Sequence, residues 1–277
     1  MVKDYIYFND RIIAPGDAGL PLNDLVILRG YGIFDYLRSF RYQPLFIEDY
    51  VARFFRSASS MRLPVPLDQD ELIKTIRKLL DMNKLEEAGI RMLLTGGASP
   101  DAFSLVRPNF IILIEDINFP APTFYQNGIK LVTHEYLREW SEVKTINYLT
   151  AIKLLPEIKK EGAFDVLYKF QGNLLEVSRS NFFIIRNGCL ITPDQQILFG
   201  ITRKKVLEIA ERICPVEMRT VKYEELYQAD EAFMTGTTKK VLPVTRVDDI
   251  TIGNGQVGSL TSKLKEAFKE LEEKANH

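Results

Sequence analysis

The sequence predicts a mixed α+β fold in two domains, and three observations predict it. Strand-like runs outnumber helical ones, and many are joined by tight turns. No glycine-rich dinucleotide fingerprint follows any predicted strand, which removes a doubly wound nucleotide fold and with it the commonest dehydrogenase reading. Near the middle of the chain, Asp116-Ile-Asn-Phe-Pro-Ala-Pro-Thr123 interrupts both periodicities with two prolines. The boundary is therefore set there, giving a smaller domain over 1–118 and a larger one over 119–277.

Taken in order, Tyr5–Phe8 and Arg11–Ala14 flank Asn9-Asp10, which tolerate positive φ, and form an opening hairpin. Pro15–Asn23 reads as a loop and Asp24–Arg29 as a short turn or helix. Ile33–Phe40 alternates as a strand, with a turn at Tyr42-Gln-Pro44. Val51, Phe54, Phe55 and Ala58 recur at helical spacing within 48–61, and a second helix fits 68–83 after Pro64 and Pro66. Strands fit 90–95 and 110–114.

Beyond the linker come a strand over 129–133, a single helix over about 147–160 and a strand over 163–169. Gln171-Gly-Asn173 and Asn187-Gly188 are hairpin signals, the second between Phe182–Ile185 and Cys189–Ile191. A helix fits 202–213, strands 216–221 and 232–234, and a final amphipathic helix 259–274.

Composition narrows the function. At 277 residues, 46% hydrophobic and 26% charged, the chain can bury a substantial core. A formal net charge of −1 provides no overall field for nucleic acid or an anionic membrane, so anions must be bound by local arginines. Cys189 and Cys214 lie far apart in apolar runs, as expected of free thiols. His134 and His277 are too few for a His/Cys metal cluster. No apolar run approaches the roughly 18–20 residues of a membrane span. The opening Met-Val-Lys-Asp-Tyr runs straight into a strand without a signal region, so a cytoplasmic location is expected.

The chemistry gathers around Glu142-Val-Lys-Thr-Ile-Asn-Tyr-Leu149. An aldehyde cofactor needs an amine that can lose its proton near neutral pH, and Lys144 is the candidate, or by itself a solvated helix-start lysine. An electron-sink ring needs a carboxylate at its nitrogen, and Glu176 stands in the apolar context Gly172-Asn-Leu-Leu-Glu-Val, or on a solvated strand face. A phosphate needs backbone donors without bulk. Gly200-Ile-Thr202 opens a helical run whose N–H groups can meet an anion, with Thr202 read equally as a plain N-cap. Gly236-Thr-Thr238 is a second small hydroxyl loop, or only a turn.

The joint order of Lys144-Thr-Ile-Asn-Tyr148, Glu176…Asn181-Phe182, Gly200-Ile-Thr-Arg203 and Ala229–Thr237…Pro243-Val244 resembles the class IV, fold type IV, pyridoxal-phosphate aminotransferases. That family includes branched-chain aminotransferases, D-amino-acid aminotransferases and aminodeoxychorismate lyase. The resemblance implies a two-domain enzyme with its cofactor, pyridoxal 5'-phosphate, between the domains. Lys144 would be the Schiff-base lysine, Glu176 the partner of the pyridine nitrogen, and Arg53 a phosphate ligand together with Ile201, Thr202 and Thr237. Tyr148 falls where branched-chain members place a tyrosine against the cofactor's phenolate oxygen, one residue nearer the lysine here. A homodimer with shared active sites, acting on amino acids and 2-oxo acids, is implied as well.

Substrate choice is where the chain departs from these relatives. Branched-chain members often carry a tyrosine at the position of Gly89 and an arginine at that of Arg91, whereas D-type members carry an arginine and a histidine where Gly96 and Ala98 stand. Arg29, at the loop expected to reach a neighbouring subunit, joins Arg91 and Arg179 as a possible carboxylate ligand. Thr238 is a further substrate-side candidate, and Phe34, Met92 and Leu94 are expected to form one apolar wall. The expected pair is glutamate with 2-oxoglutarate, and the missing tyrosine with the extra arginines favours a D-amino-acid or broad specificity. A branched-chain L-amino-acid aminotransferase, an aminodeoxychorismate lyase and a non-catalytic binding protein are the alternatives.

Overall fold

The computed structural model describes residues 1–275, so His277 lies outside the described residues. These group into two compact units. One comprises Met1–Asn118, Val143–Asn147 and the chain from Lys274, the other Phe119–Glu142 and Tyr148–Glu273.

In the first unit, β1 (Ile6–Phe8) and β2 (Arg11–Ile13) form the opening hairpin around Asn9, whose φ is 58°. Helix α1 (Leu25–Arg29) begins where the Asp24 side chain accepts from Val26 N–H and ends at Gly30 in the left-handed region. Strand β3 (Gly32–Phe40) turns into β4 (Gln43–Pro44), followed by α2 (Ile47–Ser60) and α3 (Gln69–Asn83). Asp68 and Glu71 close a capping box at the start of α3. Strands β5 (Gly89–Thr95) and β6 (Phe110–Glu115) complete a six-stranded sheet in the order β2-β1-β6-β5-β3-β4.

The two faces of this sheet differ. Ile33, Leu37, Ile90, Met92, Leu94, Ile112 and Ile114 are buried together with the inner stripes of α2 and α3, among them Val51, Phe54, Leu72 and Ile76. Period-2 alternation sends Phe34, Tyr36, Arg91, Leu93, Leu113 and Glu115 to the other face, where all are half-buried. The registers Phe34↔Leu93, Tyr36↔Arg91 and Gly89↔Glu115 set these neighbours side by side. Met92 and Leu94 therefore do not share a wall with Phe34. A one-residue offset in strand phase, invisible without the pairing, puts Leu93 there instead.

The second unit opens with α4 (Pro122–Asn127), a short helix in the stretch read as linker, with Pro122 in its first turn. Strand β7 (Ile129–Glu135) follows, then α5 (Leu149–Lys153) and α6 (Leu155–Lys160). The single helix expected over 147–160 is thus two, because Pro156 cannot supply the N–H that would carry one ladder through. Strands β8 (Asp165–Phe170), β9 (Asn173–Val177), β10 (Ser180–Arg186) and β11 (Cys189–Thr192) precede α7 (Ile201–Ala210). Then come β12 (Val216–Met218), β13 (Val221–Lys222), β14 (Glu231–Gly236), β15 (Lys240–Val247), β16 (Ile250–Thr251) and α8 (Ser259–Lys274).

Strand β15 is absent from the sequence reading because Pro243 sits inside it, and one continuous strand over 216–221 is in fact β12 and β13. The pairings β10–β14–β15–β7–β8–β9 return to β10, closing a ring filled by Phe182, Ile184, Met234, Leu242, Leu131 and Leu167. The pairing brings Glu176, Asn181 and Thr235 into one register across β9, β10 and β14. Cys189 and Cys214 are free thiols. No helix among the described residues is long and apolar enough to cross a membrane. No cluster of metal-ligating side chains occurs among them either.

Candidate active site

Lys144 is held as an extended segment beside β3. Phe34 N–H donates to Lys144 O at 3.0 Å, Ile146 N–H donates to Gly32 O at 3.2 Å, and Ile33 bridges Thr145. Lys144 N–H donates to Ser57 Oγ of α2 at 3.4 Å. With its backbone tethered on both sides, the lysine directs Nζ over the Phe34 ring, 4.4 Å from its centre. Beneath, on the buried face, Arg53 donates from Nε and Nη2 to Asp35 at 2.9 and 2.6 Å. Asp35, fully buried, is a partner that sequence spacing did not reveal.

On the Lys144 face, Arg91 donates from Nε and Nη2 to both oxygens of Glu115 at 2.7 and 2.9 Å. Its guanidinium lies 5.6 Å from the Phe34 ring centre and 4.9 Å from that of Tyr36. The Tyr36 ring fills the space above Gly89: a Cβ there would lie 2.1 Å from Tyr36 Oη. Gly89 is thus a glycine because a tyrosine on the neighbouring strand occupies its side-chain volume. Burial, reinforced by the Glu115 charge, raises the Tyr36 phenol above its usual range. Gly96 is likewise enclosed, a Cβ meeting Leu25 at 2.8 Å. An arginine of the D-type pattern has no room at that position without displacing Leu25.

In the second unit Glu176 is buried on β9. Its Oε1 accepts from Arg138 Nε at 2.8 Å, and its Oε2 accepts from Leu198 N–H at 2.9 Å. Arg138 also donates to Ser141 O. Neither Arg138 nor Leu198 was singled out from sequence. The only available signal was that a buried glutamate requires a cation.

Helix α7 starts at Gly200 with no side-chain cap, which makes Thr202 a first-turn residue and not the N-cap. The first-turn N–H groups of Ile201 and Thr202 have no intrahelical acceptor, the arrangement that receives anions. Asn181 Nδ2 donates to Leu198 O at 2.7 Å, holding the preceding loop, and a Cβ on Gly200 would lie 2.2 Å from Asn181 Oδ1. A Cβ on Gly236 would approach Ser180 Oγ to 2.9 Å. The Ser180 and Thr235 hydroxyls are buried without a hydrogen-bond partner. Small residues and orphaned hydroxyls together fit an anionic group. Thr237 and Thr238, half-buried, form the adjoining turn between β14 and β15.

The remaining candidates lie on three different segments. Tyr148 is the half-buried residue preceding α5. Arg29 is exposed at the end of α1, donating to Leu28 O at 2.9 Å. Arg179, about half exposed, lies 3.5 Å from the buried Asp165.

A family model described as amino-transferase class IV matches residues 32–247. The chain belongs to the class IV aminotransferases. It is 32% identical to a putative branched-chain-amino-acid aminotransferase of Methanocaldococcus jannaschii over 97% of this chain and 96% of that protein. It is 30% identical to the D-alanine aminotransferase of Staphylococcus aureus (strain N315), over 95% and 96% respectively. Among solved structures it is similar to a T.th. branched-chain amino acid aminotransferase with pyridoxamine 5'-phosphate. That match has a TM-score of 0.90 and 25% identity, covering 98% of this chain and 94% of that one. This class IV enzyme is a pyridoxal-phosphate-dependent aminotransferase of α+β, fold type IV architecture.

Proposed function

We propose that this aminotransferase exchanges an amino group between glutamate and a 2-oxo acid, with a D-amino-acid or broad specificity for the second partner. The observation that carries the reading is the shared Phe34 ring, which has the Lys144 amine 4.4 Å and the Arg91 guanidinium 5.6 Å from its centre. An amine able to transfer protons and a cation able to hold a carboxylate thus lie on one wall.

Pyridoxal phosphate, when bound, supplies the aldehyde and the electron-accepting ring. Lys144 Nζ would hold it, and the same amine would move the proton at the substrate's α-carbon. Glu176, fixed by Arg138 and Leu198 N–H, would keep the ring nitrogen protonated. Ile201, Thr202, Thr237 and Arg53 would hold its phosphate, and Tyr148 would hold its ring oxygen. Arg29, Arg91, Arg179 and Thr238 receive substrate carboxylates.

Tyr36 takes the volume above Gly89, so a tyrosine ring still lines this wall and the D-leaning assignment rests on the arginines. Exposed apolar residues of the first unit, Leu22 and Phe103 among them, support a homodimer. Half-reactions of the yellow holoenzyme with D-glutamate, D-alanine, L-glutamate and L-leucine test the reading. Bleaching by glutamate and a D-amino acid is expected, and rapid bleaching by L-leucine alone would replace it with the branched-chain assignment.

A further inference from the structure

We infer that Glu115 sets the side-chain specificity of the transfer, acting as the resident counter-ion of Arg91. The inference rests on the reading above that the Phe34–Arg91 face is a wall of the substrate pocket.

A ping-pong aminotransferase accommodates two different side chains in one pocket in turn. A half-buried guanidinium left without a counter-ion would favour dicarboxylic substrates and penalise neutral ones, because an apolar side chain would desolvate the charge without compensating it. Here the charge is already answered. Glu115 accepts from Nε and Nη2 in the side-on, two-bond geometry, so Arg91 is neutralised within the wall itself.

Position and packing make this an arrangement of the wall and not a chance surface pair. Glu115 lies directly across from Gly89 in the β5–β6 register. The Tyr36 ring, standing over Gly89, packs against the Arg91 guanidinium on one side while Phe34 meets it on another. Arg91 and Glu115 keep only 33% and 18% of their side-chain surface exposed, which strengthens the pairing relative to a fully solvated one.

A neutral side chain thereby meets a neutral ion pair. A substrate carboxylate must share Arg91 with Glu115 or displace it. Glu115 lowers the affinity for dicarboxylates and so widens the range of second partners.

The test uses holoenzyme and two non-reacting five-carbon acids, glutarate and valerate, with affinities measured by calorimetry. Glu115→Gln, which keeps the shape and removes the charge, is expected to raise the glutarate-to-valerate affinity ratio about tenfold. Arg91→Gln is expected to lower it below the wild-type value. If Glu115→Gln is poorly folded, Glu115→Asp loosens the pair through a shorter stem, and a smaller rise is expected. A ratio that falls or stays constant in the Glu115 variants, while Arg91→Gln lowers it, would overturn the inference and make Glu115 a support for Arg91. If Arg91→Gln moves neither affinity, the pocket assignment of this face fails together with the inference. Glutamate turnover by the wild type, measured in parallel, reports independently on the amino-transfer reading.

Discussion

Arg138 Nε lies 2.8 Å from Glu176 Oε1, so the carboxylate assigned to the ring nitrogen is itself anchored by a cation from the chain just ahead of Lys144. With both side chains largely buried, removing one leaves an uncompensated charge, which costs roughly 3–5 kcal/mol. Arg138→Met is therefore expected to lower stability by about that amount in urea denaturation. Arg138→Met/Glu176→Gln should recover much of the stability yet remain slow in turnover. A double variant no more stable than the single one would contradict this account of the pair.

The Tyr36–Gly89 complementarity makes a second prediction. Gly89→Ala places a methyl 2.1 Å from Tyr36 Oη and 2.8 Å from its Cζ, contacts that only a shift of the ring relieves. Overpacking of this kind typically costs about 1–3 kcal/mol. Introducing Gly89→Ala into a Tyr36→Ala background should cost much less. Equal costs in the two backgrounds, by thermal or chemical unfolding, would show that the ring is not what excludes a side chain there.

Gly200→Ala tests the anion site at α7. The new Cβ would lie 2.2 Å from Asn181 Oδ1 and force apart the β10 side chain and the loop that it holds. Pyridoxal-phosphate affinity measured by equilibrium dialysis is expected to fall at least about tenfold with the circular dichroism spectrum retained. Unchanged affinity would remove this helix start from the phosphate assignment.

A pH dependence follows from Glu225, whose carboxyl is held below the usual glutamate range chiefly by the Arg219 side chain. Because its folded-state pKa is depressed, its contribution to stability is complete above the ordinary glutamate pKa and is lost as pH falls through the folded value. Glu225→Gln should thus lower the unfolding temperature at neutral pH. The difference from wild type should shrink on acidification below the glutamate range. A difference that stays constant down to strongly acidic pH would show that the pair does not stabilise the fold through its charge.

Much of the fold was legible because local chemistry determined it. Asn9-Asp10 and Asn187-Gly188 mark hairpins, the stripe Val51, Phe54, Ala58 marks α2, and the final helix runs over Ser259–Lys274 as its periodicity indicates. What escaped depends on pairing between distant segments. Nothing local indicates that the lysine stretch adds to β3, or that Asp35 sits under Arg53. Met92 and Leu94 are as apolar as Leu93, so only strand register shows which of them accompanies Phe34. Arg138 and Glu115 were missed because an arginine or a glutamate becomes informative only once its partner is in place.

Every role proposed for the site depends on Lys144 being the amine that carries the cofactor. Borohydride reduction of holoenzyme, followed by proteolysis and mass spectrometry, locates that amine directly. A phosphopyridoxyl group on Lys144, absent from the Lys144→Ala variant together with amino-transfer turnover, is the predicted result. Recovery of the label on another lysine, with turnover retained in Lys144→Ala, would contradict it.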